Sequence, residues 1–158
     1  LLHANLGLLS KQVDDEKLID AMFALIQKYH VDFTLFFRRL GDLQIENPAA
    51  EITDAPLRNL FIDRARFDAW AQQYRMRLRQ ENSQDKQRRL AMHAVNPKYI
   101  LRNYLAQIAI EKAQNKDFSE VERLLKVLEK PFDEQPENQQ YAELPPDWAS
   151  QLEVSCSS

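Results

Sequence analysis

The stretch Phe67-Asp68-Ala69-Trp70-Ala71-Gln72-Gln73-Tyr74-Arg75-Met76-Arg77-Leu78 sets its large apolar side chains at steps of three, four and four residues. That spacing follows the 3.6-residue turn of an α-helix, so Phe67, Trp70, Tyr74 and Leu78 share one face. The same period runs outward in both directions. Upstream, Leu18, Met22, Leu25, Ile26 and Tyr29 form a stripe behind Asp14-Asp15, two acids suited to cap a helix start, and His30 falls near that helix's C-terminus. Asp32 is placed to cap a shorter helix carrying Phe33, Phe36, Phe37 and Leu40, which Gly41 ends in the left-handed conformation. Asp42 to Pro48 reads as a linker, and Pro56 suits the first turn of a helix with Leu57, Leu60 and Phe61 on its apolar side. Downstream, Ser83 is placed to cap a helix running through Leu90 and Met92.

Further on, Asn96-Pro97 reads as the cap and first position of a helix. There Ile100, Leu101, Tyr104, Leu105, Ile108 and Ala109 cover a wide arc, which predicts the most buried helix of the chain. After a loop at Asn115-Lys116, Asp117-Phe118-Ser119-Glu120 has the spacing of a capping box before Val121, Leu124, Leu125 and Leu128, and Pro131 ends that helix. From Pro131 to Pro146 the chain is rich in Pro, Glu, Gln and Asp and cannot bury enough apolar area to order itself alone. It predicts an extended surface segment with Phe132, Tyr141 and Trp148 as anchors. With only two glycines in 158 residues there is little to build hairpins from. The fold class is all-α: an irregular helical bundle over residues 1–130, followed by an extended, Pro- and acid-rich tail over 131–158.

Composition bounds the function classes. A hydrophobic share of 44% with 28% charged residues is ordinary for a soluble globular protein long enough to bury a core. No apolar run reaches the length of a membrane span and Leu1-Leu2-His3-Ala4-Asn5-Leu6 lacks the charged start and apolar stretch of a signal peptide, so a cytoplasmic protein without membrane contact is expected. The opening on Leu1-Leu2 without Met reads as a piece of something larger. Charge is segregated: residues 58–89 hold nine Lys and Arg against four acids, and residues 117–158 hold three against ten. Arg58, Arg64, Arg66, Arg75, Arg77, Arg79, Arg88 and Arg89 could line a nucleic-acid stripe or pair with acids of the same molecule. The acidic balance and the lack of a helix-turn-helix pattern favour pairing and no nucleic-acid partner.

Gly7 and Gly41 stand alone, so no glycine-rich loop cradles a nucleotide. His3, His30 and His93 share no metal spacing, and acids such as Asp14-Asp15 and Asp133-Glu134 are explained by caps and solvated turns. No catalytic, cofactor-binding or metal residue is assigned. Cys156 is the only cysteine and excludes an internal disulfide. In Val154-Ser155-Cys156-Ser157-Ser158 nothing bulky follows to bury its sulfur. Such a thiol is either a reactive group for a partner or a terminal cysteine of no consequence.

Several blocks taken in order resemble the C-terminal end of the selenoprotein O family. They are Asn96-Pro97-Lys98-Tyr99-Ile100-Leu101-Arg102-Asn103-Tyr104-Leu105-Ala106, Asp133-Glu134-Gln135-Pro136, Pro145-Pro146-Asp147-Trp148-Ala149 and the terminal Val154-Ser155-Cys156-Ser157-Ser158. Leu6-Gly7-Leu8 and Asp32-Phe33-Thr34-Leu35-Phe36-Phe37-Arg38-Arg39-Leu40 resemble the region before it. The resemblance implies a kinase-like protein adenylyltransferase that moves AMP from ATP to protein hydroxyls with a divalent metal, Mg or Mn. Its nucleotide and metal residues lie upstream and none maps onto residues 1–158. The resemblance further implies that Cys156 is a redox residue bridging to a cysteine of the upstream kinase-like domain, which would be this region's partner. The alternative is a helical protein-interaction module unrelated to AMP transfer, although no 34-residue repeat is visible.

Overall fold

The computed structural model describes residues 1–46 and 54–151, which are helix, turn and loop with no strand among them. The chain is all-α. It divides into two units, residues 1–96 and 97 onward, so the composition boundary at 130 falls inside the second unit.

The first unit contains α1 (Leu2–Asn5), α2 (Asp15–Lys28), α3 (Phe33–Leu40), α4 (Ala55–Arg58), α5 (Arg64–Gln80) and α6 (Asp85–Val95). Its centre is α5, whose Phe67, Trp70, Tyr74 and Leu78 are all buried as their spacing requires. They meet Met22 and Ile26 from α2, Phe36 and Leu40 from α3, Leu57 and Phe61, and Met92 from α6. The rings interlock: Phe61 stacks on Phe67 at 4.9 Å, Phe36 meets Phe61 edge-on at 6.0 Å, and Trp70 stacks on Tyr74 at 5.2 Å. Each such side chain contributes about 1.5–3 kcal/mol through burial. Tyr74, wholly buried, donates its hydroxyl to the Leu6 carbonyl at 2.6 Å, which ties the N-terminal turn to α5.

In the second unit, α7 (Asn103–Gln114) and α8 (Ser119–Leu128) form a hairpin, followed by 3-10 turns at Pro136–Ala142 and Asp147–Gln151. Tyr99, Tyr104, Leu105, Ala109, Leu124, Val127, Tyr141 and Ala142 make its core. Tyr141 anchors the segment after α8 and donates to Glu120 Oε2 at 3.1 Å. Phe132 stays exposed, and Trp148 rests edge-on against Tyr104 at 5.9 Å while remaining half exposed.

Several local expectations are overturned, most of them because a side chain finds a better partner. Asn96-Pro97 does not start a helix. The Asn96 amide is held by Asn5, donating to its carbonyl at 2.9 Å and accepting from its Nδ2 at 2.8 Å. The amides of Lys98 and Tyr99 donate to the Pro131 carbonyl, so α7 begins only at Asn103. That leaves Leu101 exposed, and α7, with three buried residues of 12, is less buried than α3 with four of 8 or α5 with seven of 17. Asp32 does cap α3, accepting from the Leu35 amide at 2.9 Å. Gly41, however, has φ −60 and is right-handed. Its lack of a side chain serves close packing, since a Cβ there would lie 2.9 Å from the His93 ring. Ser83 does not cap α6, because its hydroxyl accepts from Arg88 Nη1 at 3.1 Å. Asp117 accepts from the Ser119 amide and hydroxyl at 3.0 and 2.6 Å. Glu120 turns instead to Arg123 and Tyr141, and no capping box closes.

Candidate functional site

Cys156, the one site residue expected from the sequence, lies outside the described residues. The site-like geometry that the described residues do offer is in the first unit. An open groove of about 1160 Å³ runs between α2 and α5, floored by Leu18, Leu25 and Trp70 and edged by Ala21, Ala24, Ala69 and Met76. The Trp70 indole already donates to the Leu18 carbonyl at 3.0 Å, so the floor presents carbon rather than an open donor.

One end of the groove is closed by an ion cluster. Asp15 occupies the first turn of α2 yet is only 2% exposed. It accepts from Arg77 Nε at 2.5 Å and Nη2 at 3.2 Å, from the Gln12 amide at 2.8 Å, and meets His3 Nε2 at 3.1 Å. The Arg77 guanidinium holds the Asp15 carboxyl down to about 2 against the cost of burial. Its own pKa is raised by the Asp15 hydrogen bond. Glu81 joins Arg77 Nη1 at 3.3 Å and accepts from the Leu9 and Ser10 amides. The cluster thereby fastens the loop of residues 8–15 to α5. Asp14, at the N-cap position, makes no cap bond and pairs with Lys17 in solvent.

Most of the remaining arginines are likewise committed, while Arg64 is exposed. Arg75 donates to the Gln44 carbonyl at 2.9 Å and pairs with buried Asp54. Burial nonetheless raises the Asp54 carboxyl above its ordinary range, outweighing Arg75. Arg88 reaches the Leu43 carbonyl and Asp85, Arg79 the Ile45 carbonyl and Glu46, Arg89 reaches Asp42, and Arg58 forks onto Asp68. Arg38 donates to the carbonyls of His93 and Asn96 at 3.0 Å each. Arg66 pairs with Asp63 at 3.7 Å. The basic run is largely turned onto acids and loop carbonyls between residues 10 and 96.

The histidines are dispersed. His3 sits on Asp15, His30 is exposed with φ 51 after α2, and His93 lies 3.2 Å from the Arg38 carbonyl. Burial and Arg38 lower the His93 pKa. Among the described residues no three His, Cys, Asp or Glu side chains gather as a metal centre would. Sequence reasoning missed Asp15, Arg77 and Glu81. The available signal was Arg77 itself, on the same side of its helix as Tyr74 and Leu78 rather than opposite them.

Comparison with known proteins gives the chain its kin. The family described as protein adenylyltransferase SelO matches residues 1–129. A protein nucleotidyltransferase YdiU of Herminiimonas arsenicoxydans is 69% identical over 158 residues, all of this chain and 31% of that protein. The YdiU of Cupriavidus pinatubonensis is 59% identical over 92% of this chain and 27% of its own length. That of Burkholderia vietnamiensis is 54% identical over 99% and 30%. The chain spans less than a third of these relatives. The likeness extends well before Asn96, through the helices that build the groove and its ion cluster, and on that coverage the chain belongs to the SelO family.

Proposed function

We propose that this chain is the non-catalytic C-terminal helical region of a protein adenylyltransferase, an enzyme that transfers AMP from ATP to Ser, Thr or Tyr hydroxyls of proteins. The observation that carries the reading is coverage: a relative named as a protein nucleotidyltransferase matches the chain end to end while only 31% of that relative is used. ATP, its Mg or Mn ion and the protein substrate are then handled by the remainder of the polypeptide, in the cytoplasm. The role of residues 1–158 is support. Their buried ion pairs and interlocked rings make a stiff body against which a catalytic domain can rest.

Cys156 is the regulatory element of this reading. Its thiol and a cysteine of the catalytic part would each give up a proton and an electron to a thiol oxidant of the oxidised-glutathione class, forming one S–S bond and two equivalents of reduced thiol. The test uses the full-length protein and its Cys156→Ser variant, compared on non-reducing gels and by transfer of labelled AMP with and without dithiothreitol. A reducible, faster-migrating species present only in the wild type supports the bridge. An identical gel pattern in both overturns it, and undiminished AMP transfer after removal of residues 1–158 overturns the supporting role.

A further inference from the structure

The walls of the α2–α5 groove carry a register that the bundle itself does not use. On α2, Lys17, Ala21, Ala24 and Lys28 are all exposed and recur at steps of four, three and four. On α5, Arg66, Ala69, Gln73, Met76 and Gln80 are exposed at steps of three, four, three and four. Alternating threes and fours are the spacing of helix-on-helix seams, and alanines let a third backbone approach closely. The register from residue 66 to 80 rises about 21 Å, roughly four turns of a partner helix.

We propose that this groove seats an amphipathic helix from the part of the same polypeptide that precedes Leu1; the assignment rests on the reading of this chain as the C-terminal region of a longer protein. Two observations choose that occupant over a second copy. The start of the chain is held at the groove: His3 meets Asp15 at 3.1 Å, and Asp15 lines the groove's end. Leu1 is within about 7 Å of chain from His3, so preceding residues emerge beside the groove. The walls are also too polar to hold an untethered partner, because glutamines, lysines and an arginine alternate with alanine. A tethered helix meets them at an effective concentration near the millimolar range, which a separate molecule lacks. Lys17, Lys28 and Arg66 lie along the margins. Over the floor of Leu18, Leu25 and Trp70 the occupant carries Leu, Ile or Met at i, i+4 and i+7.

The test places a photo-crosslinking amino acid at Met76 or Ala24 in the full-length protein, with exposed Leu90 on α6 as control. The expected result is at least a fivefold excess of crosslinked product at positions 76 and 24 over position 90, at monomer mass. Peptide mapping should find it on residues preceding Leu1 with helical spacing. Crosslinks at dimer mass, crosslinks to residues 97–158, or yields no higher than at position 90 overturn the assignment. AMP transfer is measured on the same samples. Monomer-mass crosslinks in a protein that transfers no AMP would remove the activity reading and leave the groove's occupant standing.

Discussion

Replacing Asp15 with Asn keeps its shape and removes the charge that Arg77 was folded against. In the native chain the carboxylate is 2% exposed and is held at about 2, well below the ordinary 3.8. At about 1.36 kcal/mol per pH unit this gap is worth about 2 kcal/mol, and solvent in the adjoining groove screens it toward 1. Removing one partner of a buried pair costs about 3–5 kcal/mol when the other charge is stranded. Here Glu81 remains 3.3 Å from Arg77. The expected loss is therefore about 2 kcal/mol, between the screened and the stranded limits. The sign of the pH dependence follows from the depressed carboxyl. Its stabilisation is fully present above about pH 4 and is lost as pH falls toward about 2. Urea unfolding followed by Trp70 emission, in a Trp148→Phe background, reads the first unit, because Trp70 is packed against α2. The wild type should exceed Asp15→Asn by about 2 kcal/mol at neutral pH, and the two should draw together as pH falls through about 2. A difference under about 0.5 kcal/mol at neutral pH, or one that persists unchanged into acid, would refute the reasoning.

Gly7→Ala is expected to destabilise the first unit by about 2 kcal/mol or more, since the residue is left-handed and overpacking adds to that strain. Its φ is +67, and a Cβ would lie 2.6 Å from Arg88 Cγ and 2.7 Å from Met92 Sδ; a urea midpoint matching the wild type would contradict this. Gly41→Ala should cost less because its backbone is unstrained, and adding His93→Ala should recover most of that loss, as measured by a double-mutant cycle. Burial and Arg38 lower the His93 pKa in the folded chain, whereas the unfolded chain takes a proton near about pH 6.5. Stability should thus be fully present above about pH 6.5 and decline below it. In His93→Gln that part of the slope should vanish, and parallel pH profiles for the two proteins would dismiss it.

What the sequence made legible was apolar periodicity. Phe67, Trp70, Tyr74 and Leu78 are buried as spaced, and Met22, Ile26, Phe36 and Leu40 meet them. Period identifies a face without knowledge of what covers it, so it survives into the fold. Caps depend on which donor reaches an oxygen first, and that is decided at long range. Ser83 was within reach of a helix start and also of Arg88; the charged donor won. Asn96 was shaped for a cap and lies against Asn5, which is 91 residues earlier and invisible to any local pattern.

The charge pattern was read correctly as internal pairing, but the burial of two of its arginines was not legible. A helix whose arginines faced solvent would have put Arg75 and Arg77 opposite Tyr74 and Leu78. Both instead lie under a tenth exposed, donating to Gln44 and Ser10 carbonyls and to Asp54 and Asp15. Buried guanidinium groups satisfied by loop backbone fix those loops in place, because releasing a loop would strand a charge in the interior. Arg77 and Glu81 hold residues 8–15 at the end of the α2–α5 groove, and Arg75 and Arg79 hold residues 44–46 to another side of α5. A body that turns its arginines onto its own loops and leaves a seam of alanine, glutamine and Met76 exposed suits the helix proposed for the groove.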